Sequence, residues 1–198
     1  MLVVIIATVL ISFCLLVLNY LQKSNRLPVS QTRRLAHILS GVYSLVIYPA
    51  VEKKWFLIVC AGFAIIMIIS RSKNFFTCVH AIDRQTYGEN LFSVSMFLTA
   101  LLAGDETTIF MIATLILTFA DVAAGWSGDL LKSKKKTVVG SGAFFLVSTT
   151  ILLIFQVPIG LSVILSLLLT VVEYLSKWGL DNLLIPVVAT LVLRIFGV

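Results

Sequence analysis

Along its length the chain alternates long apolar runs with short stretches in which polar and charged residues collect. A bilayer core takes about 20 apolar residues per helix, fewer where flanking Lys or Arg side chains reach the interface. On that rule the pattern predicts eight helices, at Met1–Leu21, Leu35–Val51, Trp55–Ser70, Asn90–Ala103, Thr108–Ser127, Gly142–Gln156, Ile159–Ser176 and Asn182–Val198. The expected fold class is all-α, a polytopic membrane helix bundle of about eight transmembrane helices, or seven if the fourth run does not cross. The 14 residues of that fourth run reach only about 21 Å as a helix, which calls for tilt, extension into Tyr87 or a partly re-entrant path. No internal repeat, linker or low-complexity tract interrupts the pattern, so residues 1–198 are read as a single domain.

Composition agrees with the pattern. The chain is 60% hydrophobic and 12% charged with a mean hydropathy of +1.08, whereas a soluble domain carries roughly 25% charged residues. A net charge of +6 raises the question of nucleic acid. The basic residues lie in short loops between apolar runs, however, where they orient helices in a bilayer, so no nucleic-acid partner is expected. With the first loop inside, Lys23, Arg26, Arg33, Arg34, Arg71, Lys73, Arg84, Lys132, Lys134, Lys135, Lys136 and Lys177 all face the cytosol, against only Lys53 and Lys54 outside. Arg194 then reads as a snorkelling anchor near the outer end. The first run has no basic residue before it and no small-residue cleavage site after it, and is read as a retained helix. Cys14, Cys60 and Cys78 are odd in number and far apart, which argues against a disulfide framework or a thiolate metal site.

One consequence of this topology is chemical. The second, fourth, sixth and eighth helices all begin at the cytosolic side, so their free N–H groups and positive dipole ends point there. Such helix starts bind phosphate. The segment Phe119–Gly142 is where the candidate chemistry concentrates: Asp121 inside an apolar run, the small residues Ala123, Ala124, Gly125 and Gly128, then Asp129, the lysines, and Gly140, Ser141 and Gly142. An ionisable group within a membrane-length segment is expensive and marks a functional site by default. Glycines at 140–142 predict a turn that aims successive N–H groups at one anion. The expectation is that this segment holds a nucleotide's phosphates and a metal at the cytosolic membrane face.

Elsewhere the residues allow two readings. Arg33 and Arg34, with His37 at the start of the second helix, are either orientation anchors or fork-shaped phosphate donors. Glu89 suits a cap of the fourth helix. Glu173 and Lys177 suit an i,i+4 pair, Gly179 a C-cap and Asp181 an N-cap, yet both carboxylates stand at the face that holds Asp121 and Lys136. His80 has no second histidine at ligand spacing, so zinc is not expected.

Taken in order, these pieces resemble the polyprenol kinase family, which includes dolichol kinases, phytol kinases and CTP-dependent diacylglycerol kinases and is related to the CTP transferases. Arg33, Arg34 and His37 are similar to its basic-basic-x-x-His element, and Arg84, Tyr87, Gly88 and Glu89 to its R-x-x-Y-G-E stretch. Asp121, Ala124, Gly125 and Gly128 resemble its D-x-x-A-x-x-G-x-x-G core, Lys136, Thr137, Gly140 and Ser141 its K-T-x-x-G-S element, and Glu173 with Asp181, Asn182 and Pro186 its E…DN…P element. The chain departs at Val139, where the family usually has Glu, and at Gln31 and Thr32, where an acidic residue often precedes the basic pair. If that Glu holds metal in relatives, another carboxylate takes its place here, or donor preference or activity differs.

The resemblance implies a membrane enzyme that moves the terminal phosphate of CTP, or another nucleoside triphosphate, to a lipid alcohol such as a polyprenol, a phytol-like isoprenoid alcohol or diacylglycerol. It implies Mg²⁺ held by Asp121 with help from Asp181 or Glu173, and phosphates held by Lys136, Arg33 and the 140–142 backbone. Arg34, Gly125, Gly128, Ser141 and Asn182 complete the expected nucleotide-binding set, with His37, Arg84 and Glu89 as further candidates. The general base is Asp121 or Glu173. The rivals are a phosphatidate cytidylyltransferase, which would release a CDP-lipid, and a small transporter. All of this requires Asp121, Lys136 and Asp181 to converge on one shallow pocket open to the cell interior.

Overall fold

A computed structural model describes residues 2–73, 86–133 and 135–198. Among them the secondary structure is entirely helical. The helices are α1 (Leu2–Lys23), α2 (Val29–Ile47), α3 (Lys53–Lys73), α4 (Gly88–Ala103), α5 (Thr107–Leu130), α6 (Val138–Ile154), α7 (Ile159–Leu175) and α8 (Asp181–Ile195). Helices α1, α3 and α5 are long and apolar enough to cross a membrane, and α4, α6 and α7 are shorter apolar helices.

Two helix starts differ from the expectation. Helix α2 begins at Val29, directly after Pro28, and not at Leu35, so Arg33 and Arg34 sit in its first turns and not in a loop. An apolar-run rule passes over this polar stretch, but Thr32, Ala36, Gly41 and Ser44 recur at helical spacing and bury one face. Helix α6 begins at Val138, because the Thr137 side chain caps it by accepting from the Gly140 N–H at 3.0 Å. The expected glycine turn at 140–142 is therefore helix. Gly140 serves packing instead, since a Cβ there would lie 2.9 Å from the Ala124 carbonyl oxygen of α5.

The main core runs through α2 to α8, with Phe56, Phe110, Phe144, Ile112, Leu165 and Leu169 fully enclosed and Tyr48 stacked on Phe110 at 3.8 Å. The buried residues of helix α1 form a separate cluster, Ile11, Leu15 and Leu18 with Ala36 and Met67, while Val4 and Ala7 pack against the main core. At the end opposite the 140–142 segment, Tyr48 Oη and Lys53 Nζ both donate to the Gly104 carbonyl, at 3.1 and 3.0 Å. Arg194, expected to snorkel, donates to the Leu102 carbonyl at 2.5 Å and so ties α8 to the end of α4.

Helix α5 contains one π-helical turn, Ile116–Ala120, immediately before Asp121. Such turns insert an extra residue and recur at functional sites; without it, every later side chain of α5 would be rotated by about 100°. Helix α2 holds this turn from the side. His37 Nε2 lies 3.1 Å from the Leu117 carbonyl oxygen, which can only accept, so that nitrogen carries the proton. One turn on, Gly41 admits the buried Thr118: a Cβ at 41 would stand 2.0 Å from Thr118 Oγ1 and 2.6 Å from its Cγ2. Gly41→Ala is therefore expected to lower the detergent-solubilised unfolding temperature by an amount that matches an overpacking cost of about 1–3 kcal/mol. Adding Thr118→Ala should recover part of the loss, and strictly additive effects in the thermal double-mutant cycle would show that the two positions do not meet.

Candidate functional site

The starts of α2, α4, α6 and α8 line one cavity of about 880 Å³. Its charged end holds Arg33, Arg34 and His37 from α2, Glu89 from α4, Asp121, Gly125, Gly128 and Asp129 from α5, Lys136, Gly140 and Ser141 at the start of α6, Glu173 at the end of α7, and Asp181 and Asn182 from α8. Residues up to about 150 positions apart in sequence thus face one space. Arg84, a further candidate, lies outside the described residues, as do His80, Cys78 and Lys134.

Asp121, Glu173 and Asp181 each present an oxygen within 4.8 Å of the others. Asp121 is half-buried, enclosed by the bundle and open to the cavity, while the Glu173 side chain is only 6% exposed. Lys136 reaches into this group: its Nζ lies 2.7 Å from Glu173 Oε1 and 2.8 Å from Asp181 Oδ2, and it also donates to the Glu173 backbone carbonyl. Burial opposes a charge on Lys136, but Asp181 and Glu173 more than offset it and raise its pKa above the ordinary lysine value. A raised lysine pKa contributes stability that is complete below the unfolded-state value and fades only as pH climbs through the folded value, so the ammonium is charged at neutral pH. Glu173 is thus paired with Lys136 and not, as the i,i+4 spacing expects, with Lys177, which is exposed.

The remaining basic and small residues have distinct neighbours. Arg34 forms an ion pair with Asp129 and donates through Nη2 to the Gly125 carbonyl at 2.8 Å. A Cβ at Gly125 would lie 2.7 Å from Arg34 Nε, so that glycine opens the path for the guanidinium. Gly128 has nothing within 4 Å of its missing Cβ and borders open cavity. Arg33 and Lys136 are near enough to act electrostatically on Asp121. Ser141 Oγ is buried without a hydrogen-bond partner among the described residues.

Asp181 is the first residue of α8, not its N-cap, and its Oδ1 accepts from the Asn182 N–H at 3.1 Å. Asn182 Nδ2 donates to the Gly88 carbonyl at 3.0 Å, and the Tyr87 N–H donates to the Trp178 carbonyl at 2.9 Å. The start of α4 is in this way clamped to the α7–α8 connection. Gly179 belongs to that clamp and not to a helix end, since Ser176 is the C-cap of α7. Glu89, in the first turn of α4, pairs with Arg71 at 2.8 Å, and the same guanidinium donates to the Thr86 carbonyl and lies 4.4 Å over the Tyr87 ring. Arg71 is the residue that pattern reading missed: it looked like one more orientation charge, and nothing in its local sequence points to Glu89. Val139, the departure from the family pattern, is an exposed residue in the first turn of α6.

Away from the charges the walls of the same cavity are mainly apolar, with Ile11 and Leu15 of α1, Ala36 and Tyr43 of α2, Val59, Phe63 and Met67 of α3, and Phe92 and Met96 of α4, among which stand the hydroxyls of Ser40, Ser44 and Ser93. The space is therefore amphipathic, with an ionic head and a hydrocarbon body. Compared with protein-family models, with curated proteins and with solved structures, the chain has no match.

Proposed function

We propose that the chain is a multi-pass membrane lipid kinase with its site facing the cytosol, transferring the terminal phosphate of a nucleoside triphosphate, CTP by the resemblance, to a lipid alcohol. The observation that carries this reading is the single cavity in which three clustered carboxylates and a lysine meet an apolar chamber. A lipid alcohol has the same division into a polar end and a hydrocarbon tail. The membrane setting is supported by the large exposed side chains of α1, α3 and α7, among them Leu2, Ile5, Ile6, Ile65, Ile68 and Ile164, because soluble proteins rarely expose such continuous apolar faces.

The donor set fits a hard divalent cation: three carboxylate oxygens within 4.8 Å suit Mg²⁺, which takes oxygen ligands and keeps several waters. Asp121 and Asp181, with Glu173, would hold it, and once bound with the nucleotide it would neutralise phosphate charge. Lys136 and Arg33 supply fixed positive charge for the phosphates. The starts of α2, α4, α6 and α8 bring the positive ends of four helix dipoles to the same space. Asp121 or Glu173 accepts the alcohol's proton as its oxygen bonds to the terminal phosphorus and the nucleoside diphosphate leaves. The apolar chamber keeps the acceptor's hydroxyl at the ionic end and limits competing water.

A donor-by-acceptor screen on purified protein, with products identified by mass, tests this. The expected product is a lipid monophosphate, formed with Mg²⁺ and abolished by chelation with EDTA. A CDP-lipid would replace the kinase reading with a cytidylyltransferase. Substrate flux in vesicles without any phosphorylated product would replace it with a transporter.

A further inference from the structure

Helix α1 packs along α2, and α3 along α4. Where α1 and α3 face each other, a second space of about 340 Å³ opens between them, lined by Thr8, Ser12 and Leu15 of α1 and by Val59, Gly62, Phe63, Ile66 and Met67 of α3. Leu15, Val59, Phe63 and Met67 also wall the apolar chamber of the main cavity, so the two spaces adjoin through shared side chains. The α3 residues recur at helical spacing and form one stripe along the space.

The polar groups in this wall are already satisfied. Thr8 Oγ1 and Tyr43 Oη are 2.7 Å apart, and Ser12 Oγ donates to the Thr8 carbonyl at 2.7 Å. The space therefore presents hydrocarbon surface, and no unpaired donor or acceptor here favours water or an ion. Gly62 lines it with a bare backbone, and nothing lies within 4 Å of where a Cβ would stand. The buried residues of α1, Ile11, Leu15 and Leu18, form a cluster with Ala36 and Met67 beside the main core, and the gap lies along this cluster.

We infer that the gap between α1 and α3 is the lateral path by which the acceptor's hydrocarbon tail passes from the chamber towards the bilayer, and that the bare face of Gly62 determines how bulky and how long a tail can be taken. The inference rests on the lipid-alcohol reading of the main cavity. Its occupant is the tail of the molecule whose hydroxyl lies at the ionic end, which accounts for a gap that adjoins that cavity and is lined mainly by apolar side chains.

The test uses the full chain in phosphatidylcholine vesicles with a long-chain isoprenoid alcohol that carries a diazirine near the end of its tail. Irradiation should label peptides spanning Thr8–Leu15 and Val59–Met67. Excess unlabelled alcohol should displace the label, and the matching hydrocarbon without a hydroxyl should not, which separates a bound acceptor from lipid that merely surrounds the helices. Gly62→Phe fills open space and should reduce labelling roughly tenfold or more, the scale at which pocket shape discriminates. Ser12→Leu, which narrows the gap from the facing wall, should act in the same direction, and Gly62→Ala should label like the unaltered chain. In turnover, Gly62→Phe should lose long-chain acceptors and keep a short, water-soluble alcohol. Label confined to other helices, equal displacement by the hydrocarbon, or full labelling of both blocking variants would overturn the tail path. Competable labelling of the gap in a protein that phosphorylates no alcohol would support the path and remove the kinase reading instead.

Discussion

Asp121→Asn is expected to lower nucleotide-dependent phosphorylation by about 10²–10³-fold or more, the scale seen when one group that stabilises transferring charge is removed. The substitution keeps shape and removes a charge, so its effect on folding should be small beside its effect on turnover. Asp121 lies where three helices meet: its own α5, Glu173 at the end of α7 and Asp181 at the start of α8, with oxygens within 4.8 Å of one another. Loss of one carboxylate from such a set weakens both any hold on a divalent cation and the acceptance of a proton. Lys136→Ala should be equally inactive but for a different reason, and it should also destabilise. Breaking a fully buried ion pair costs about 3–5 kcal/mol, and the Lys136 side chain is 24% exposed, so the loss should be smaller than that. The two variants are therefore distinguishable by unfolding temperature in detergent alongside turnover. An Asp121→Asn protein that inserts normally and turns over within a few-fold of the unaltered chain would exclude Asp121 from the chemistry.

Gly179→Ala should both unfold early and lose activity. Its φ of +86° suits glycine, and a Cβ there would lie 2.5 Å from Gly88 N, 2.6 Å from Gly88 Cα and 2.8 Å from Thr86 Oγ1. Neighbouring backbone cannot swing aside as a side-chain tip can. The strained φ costs about 1–3 kcal/mol, and the overlap adds a further cost of about 1–3 kcal/mol. Relief requires α4 to separate from the α7–α8 connection, which carries Glu89 and the Asn182 contact away from the cavity. Gly197→Ala provides the control: its φ is +68° and nothing lies within 4 Å of the missing Cβ, so it carries the conformational cost alone. If thermal unfolding and turnover show equal effects at the two positions, the clamp between α4 and α8 contributes nothing to the site.

The apolar pattern located the helices well because burial and helix length act on runs of residues and leave a periodic trace. It placed the starts of α2 and α6 several residues late for different reasons: after Val29 the first turns of α2 are polar residues with one buried face, and α6 opens on two exposed valines and Gly140 behind the Thr137 cap. The glycines at 140 and 142 illustrate a second limit. Glycine in a sequence signals either a turn or a close approach, and only the position of α5 against Gly140 decides for the latter.

The candidate site residues were legible by type. Asp121, Lys136, Glu173 and Asp181 stood out because charge in or beside an apolar run is costly. Their pairing was not legible, since Glu173 has a lysine four residues away in sequence and binds a different one 37 residues away in sequence. Arg34 finds Asp129, and Arg71 finds Glu89, across separations of 95 and 18 residues.

From the residues alone followed the all-helical class, the rough helix limits and the small set of ionisable groups whose burial demands a reason. Tertiary structure decided which of these groups meet, because that depends on the rotation of each helix about its axis. A π-helical turn before Asp121, held by His37 and admitted by Gly41, sets that rotation for the second half of α5, and no local preference in the sequence records it.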